Sequence, residues 1–121
     1  MDIISYLKNI LEKNINSNQL NDIEKFYDTK LNGEALKISN SLGDEIFFCG
    51  KTFLKLLSKQ EVLDATSDLN VSFKEKSLIP MFDSGDNDYI VFSFDEKCWY
   101  KYNIVDDVLF CKRYSIMEYF N

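Results

Sequence analysis

Apolar residues recur at helical spacing in the first third of the chain and at alternate positions in the last third. Ile3, Ile4, Leu7, Ile10 and Leu11 predict an amphipathic helix over residues 2–13, with Asp2 placed to cap it and a polar break over 14–18. A second helix over about 18–27 turns Leu20, Ile23, Phe26 and Tyr27 inward. Asn32-Gly33 reads as a turn. A third helix follows over about 34–42 on Leu36, Ile38 and Leu42, and Gly43 suits its C-terminal stop.

Residues 45–49 form a short, strongly apolar strand that ends at Gly50. The leucines of 52–57 fit a strand or a helix lead-in, and a strand is the reading adopted. Ser58 and Glu61 have the spacing of a capping box. The helix behind them carries Val62, Leu63 and Ala65 and ends near Leu69. Residues 70–77 are polar apart from Val71 and Phe73. From Leu78 the pattern changes to alternation, dense in aromatics and cut by acidic turns. Runs at 78–82, 89–94, 98–104 and 108–111 predict an antiparallel meander at the centre of a sheet. Ser115 to Glu118 repeats the capping-box spacing and predicts a short closing helix. The order implies an α+β fold in a single domain over 1–121. The sheet is mostly antiparallel with a C-terminal meander, and the helices pack on one face.

Asp95-Glu96-Lys97 reads as a three-residue hairpin loop, which sets Phe94 opposite Cys98, Phe92 opposite Tyr100 and Ile90 opposite Tyr102. Those six residues then share the helix-covered face. Tyr89, Val91, Ser93, Trp99, Lys101 and Asn103 share a mixed face, which is either partly covered or a binding surface.

Composition narrows the chemistry. At 121 residues, 45% hydrophobic and 15% aromatic, the chain can bury a core. No apolar run approaches the roughly 20 residues that span a bilayer. The first residues lack the basic and apolar regions of a signal peptide, so the expected compartment is the cytoplasm. The net charge of −6 arises wholly in the second half, where twelve acids meet six basic residues. Such a surface repels phosphate backbones and suits a basic protein partner. No histidine is present, which removes imidazole catalysis and histidine-based metal sites. Cys49, Cys98 and Cys111 form no CxxC and read as reduced core thiols.

The densest carboxylate cluster runs from Asp83 to Asp88. Counted from Asp83, glycine falls third, the sixth residue is Asp88 and the twelfth is Phe94, so the calcium-loop pattern fails. Asp, Gly and Asn are also what a tight turn between strands needs. The pairs Asp86/Asp88 and Asp95/Glu96 sit in expected loops with nothing nearby to raise a carboxyl pKa. Cys49 has no base partner, and the glycines are too scattered for a phosphate loop. No catalytic residue, metal or cofactor is expected.

Several stretches together are similar to one family. Residues 23–32, IEKFYDTKLN, resemble an opening helix and its turn, and Leu42-Gly43-Asp44 a helix end. Leu78-Ile79-Pro80-Met81-Phe82, then Gly85-Asp86 and Asp88-Tyr89-Ile90-Val91-Phe92, resemble a Leu-Ile-Pro strand, a glycine-aspartate turn and the next strand. Trp99-Tyr100 and residues 114–120 fit a last hairpin and terminal helix. In this order they resemble the SUKH superfamily, whose eukaryotic relatives include the Smi/Knr cell-wall-assembly regulators. Asn32 stands where family members usually carry proline, and Leu42-Gly43 replaces an asparagine-glycine.

The resemblance implies a bacterial immunity protein. Such a protein binds and neutralises a cognate toxin domain, often a nuclease, of a polymorphic or contact-dependent toxin system. The alternative it implies is an intracellular regulatory or scaffolding protein of the Smi/Knr type. Either way the partner is a protein, with no direct nucleic acid and no membrane. The expected docking residues are Asp83, Asp86, Asp88, Tyr89, Asp95, Glu96 and Trp99, because residues 83–107 hold seven acids and two lysines beside two aromatic anchors. The plainer alternative is that Trp99 is buried and the loop acids are merely solvated.

Overall fold

The computed structural model describes residues 2–15, 19–49 and 52–120, excepting the side chains of Cys49 and Thr52. The expected helix start at Asn18, the strand end at Gly50 and the Cys49 thiol lie outside the described residues. Helices α1 (Ile3–Leu11), α2 (Asp22–Tyr27), α3 (Gly33–Ser39) and α4 (Lys59–Leu69) accompany six strands. These are β1 (Ile46–Cys49), β2 (Thr52–Leu56), β3 (Leu78–Gly85), β4 (Asp88–Ser93), β5 (Cys98–Asn103) and β6 (Val108–Arg113), and a 3-10 helix (Ile116–Tyr119) follows. The strands form one antiparallel sheet in chain order, from β1 to β6. The fold is α+β. No described helix is long and apolar enough to cross a membrane.

The helix starts follow from local side-chain chemistry. The Asp2 carboxylate accepts from the Ser5 amide at 2.7 Å. Ser58 Oγ accepts from the Glu61 amide at 3.1 Å, and Glu61 accepts from the Ser58 amide at 3.0 Å, so the expected capping box closes. A second box, Asn21 with Glu24, starts α2 four residues later than the apolar spacing suggests. Glu24 is fully buried there and also accepts from the Leu31 amide at 2.9 Å, with Lys30 Nζ at 3.4 Å. The closing segment departs from expectation. Ser115 donates its hydroxyl to Glu34 of α3 at 2.8 Å, and the Ile116 amide donates to the same carboxylate at 2.9 Å. The carboxylate that stops this short helix from fraying is therefore Glu34, and Glu118 stays exposed.

The register of β4 and β5 corrects the sequence reading. The turn between them holds four residues, 94–97, so Ser93 pairs with Cys98, Phe92 with Trp99, Val91 with Tyr100 and Ile90 with Lys101. The Lys97 amide donates to the Ser93 carbonyl at 2.7 Å, the Glu96 amide donates to Ser93 Oγ, and Lys97 takes a φ of 59°. Phe94 leaves the strand to pack edge-on against Tyr27, its amide donating to Ser77. Even positions on β4 thus oppose odd positions on β5. Phe92 and Tyr100 lie on opposite faces, and the six residues expected together are divided.

Cover is not confined to one face of the sheet. All of Leu78 to Phe82 and Ile90 to Ser93 are buried, which needs cover on both sides of β3 and β4. Adjacent Lys101 and Tyr102 show what supplies it. Tyr102 packs edge-on against Phe73, in the segment behind α4. Lys101 lies by the ring of Tyr119 in the 3-10 helix, whose neighbour Phe120 packs on Phe82. The cysteine reading also divides: Cys98 is buried, whereas Cys111 is exposed.

Candidate protein-binding surface

In a meander, successive turns fall at alternate ends of the sheet, and this separates the acidic residues that lie together in sequence. The β3–β4 turn, Asp86-Asn87, has two left-handed residues (φ 53° and 66°), the geometry of a tight hairpin turn. The β5–β6 turn over 104–107 lies beside it. Asp88 pairs with Asn103, the Ile104 amide donates to the Asn87 carbonyl at 3.0 Å, and Asn103 Nδ2 donates to Asp88 at 2.8 Å. Asn103 Oδ1 in turn accepts from the amides of Val105 and Asp106. This bonding brings Asp83, Asp86, Asp88, Asp106 and Asp107 to one end of the sheet, where Val105, within the β5–β6 turn, is exposed.

Asp95 and Glu96 sit at the other end. The six residues of β4, rising about 3.4 Å each, put the two ends roughly 20 Å apart. Glu96 is engaged where it is: it accepts from Tyr100 Oη and from Lys112 Nζ at 3.2 Å, and these bonds hold its carboxyl below the usual range. The seven acids of residues 83–107, five of them expected docking residues, therefore form two groups.

The aromatic anchors change as well. Trp99 is 1% exposed and packs edge-on against Phe92, so it belongs to the core and presents nothing to a partner. Tyr89 is half-buried opposite Asp83 and Tyr102. Burial pushes its phenol up, and the charges of Asp83 and Glu61 add to the effect. Of the expected docking residues, Asp83, Asp86, Asp88 and Tyr89 stay together, and Asp95, Glu96 and Trp99 leave the group.

Several surface residues escaped the sequence reading. Val108, Leu109 and Phe110 of β6 are 48%, 41% and 38% exposed, flanked by the exposed Val105 and Tyr114. An unbroken apolar run suggests a buried strand. The available signal was its place as the last strand of a meander, followed at once by Lys112-Arg113, which marks a sheet edge.

Electrostatics at the acidic end serve structure. Asp107 accepts from Tyr102 Oη at 2.5 Å and pairs with Lys76 at 3.0 Å. These two bonds hold its carboxyl below the usual range. Burial, then this same bond, pushes the Tyr102 phenol well above its ordinary value. An open groove of about 540 Å³ lies alongside, lined by Val71, Ser72, Glu75, Lys76 and Tyr102. Among the described residues every carboxylate with a resolved shift is lowered, and burial pushes the Cys98 thiol up. No three metal-ligating side chains converge among them. Compared with protein-family models, with curated proteins and with solved structures, the chain finds no match in any of the three.

Proposed function

We propose that this protein acts by binding, as an immunity protein that sequesters a cognate toxin domain, and that the acidic end of its sheet receives a basic surface of that toxin. The juxtaposition of the two turns carries the reading. It concentrates Asp86, Asp88, Asp106 and Asp107, the last paired with Lys76, at the end of the sheet that also exposes Val105, so that apolar contact area adjoins a mainly acidic surface. Such a surface attracts a cationic nuclease and repels the nucleic acid that the nuclease cuts. The side-chain chemistry supports binding over catalysis. A general acid needs a carboxyl raised toward neutral pH, and the resolved carboxyl shifts run the other way. The toxin would be met in the cytoplasm.

The test is co-expression with the product of the adjacent gene. The expected result is a stoichiometric complex and rescue of growth when the toxin domain is induced. A neighbouring product that is not toxic, yet still co-purifies, moves the reading to the regulatory or scaffolding class. No complex and no protection rejects the immunity reading.

A further inference from the structure

We infer that β6 is a self-association edge, on which a second copy of this chain adds its own β6 in antiparallel orientation. The sheet order ends at β6, which pairs with β5 on one side and with no other strand among the described residues on its outer side. Natural edges are usually blunted by charge, proline or brevity. Here Lys112, Arg113 and the bulge at Cys111 blunt only the end of the strand, and Val108, Leu109 and Phe110 before them are exposed in succession.

The order of charges along the strand selects the occupant. Asp106 precedes the apolar run and Arg113 follows it, and neither forms an ion pair within the chain among the described residues. A strand that is acidic at its start and basic at its end is complementary to itself when antiparallel. In parallel it would set like charges side by side. The spacing agrees. Asp106 lies three positions before Leu109 and Arg113 four after it. The bulge in β6 absorbs the difference, since Lys101 pairs with Phe110 while Trp99 pairs with Arg113, with Cys111 at a φ of 53°. A two-fold axis through Leu109 sets Val108 beside Phe110 of the second copy and brings the turn that carries Asp106 to the end of the second strand where its Arg113 lies. Both ends of the pairing close at once, and the interface is isologous.

Sedimentation velocity over a dilution series tests this, with near-UV circular dichroism to confirm folding. The parent is expected to dimerise. Asp106→Arg and Arg113→Asp should each weaken the dimer by about tenfold or more, since each sets like charges opposite one another at both ends. The double variant, Asp106→Arg with Arg113→Asp, should recover it. Leu109→Lys, with its charge on the two-fold axis, should be monomeric, and β6 amides should exchange faster on dilution of the parent alone. A parent that is monomeric throughout the series overturns the inference, and so does a dimer indifferent to all four variants. Protection of β6 amides only when the toxin is added assigns the edge to another protein's strand and overturns it too.

Discussion

Phe92 and Trp99 face each other across β4 and β5, their ring centroids 5.1 Å apart and their planes tilted by 63°. Both are buried. Trp99→Ala should therefore cost about 3–5 kcal/mol, as large aromatic deletions from a packed core do. Tyr100→Phe, on the opposite face, loses only a phenol bond to an exposed carboxylate and should stay within about 1 kcal/mol of the parent. A Phe92→Leu, Trp99→Leu double-mutant cycle should show a coupling of about 0.5–1.5 kcal/mol. Urea unfolding monitored by tryptophan fluorescence, or by circular dichroism for the Trp99 variants, measures all of these. Zero coupling would falsify the register.

Glu24 is the buried charge that joins α2 to the turn before α3. Burial alone raises its carboxyl, but the amides of Asn21 and Leu31 and the Lys30 ammonium outweigh it and hold the pKa below the ordinary value. A lowered folded pKa means the ionised form stabilises the fold. That contribution is complete above the unfolded carboxyl pKa and is lost as pH falls through the folded one. Glu24→Gln should cost about 1–3 kcal/mol near neutral pH, because an amide cannot accept at both positions. The gap between variant and parent should narrow as the medium is acidified into and below the usual carboxylate range. A gap constant with pH would remove ionisation from the explanation.

Glu34 ties α3 to the closing 3-10 helix through the Ser115 hydroxyl and the Ile116 amide. Glu34→Ala should release the end of the chain, at a cost of about 1–3 kcal/mol. Hydrogen exchange at Ile116 should accelerate strongly, while amides of β3 and β4 keep their relative protection. Uniform acceleration everywhere would show that the closing segment has no separate stability.

The two acidic ends can be told apart by charge. Asp86→Lys with Asp88→Asn keeps an acceptor for Asn103 while reversing the potential of the β3–β4 turn. It should slow association with the toxin markedly at low salt and less at high salt, where screening already suppresses steering. Asp95→Lys, roughly 20 Å away by strand length, should leave the rate close to that of the parent. The reverse pattern would move the docking site to the β4–β5 turn.

Much of the architecture is legible in the chain because its causes are local. The caps at Asp2 and at Ser58 with Glu61 act over three residues, and apolar or aromatic runs cut by acidic turns mark the strands of the meander. Even the division of the acids follows from chain order once hairpins are accepted, since each antiparallel strand reverses direction. What the tertiary structure alone decided turns on geometry with no one-residue signature. Ser93 and Lys97 make the β4–β5 turn one residue longer than Asp95-Glu96-Lys97 suggests, and a single residue exchanges every side chain between faces. Trp99 thereby moves from a candidate anchor into the core. Glu34 caps a segment more than eighty positions away, a contact that exists only once α3 has been brought beside the end of the chain. The run Val108 to Phe110 reads as core by composition. Only the sheet order makes it an edge, because burial depends on which neighbour is present and not on how apolar the strand is.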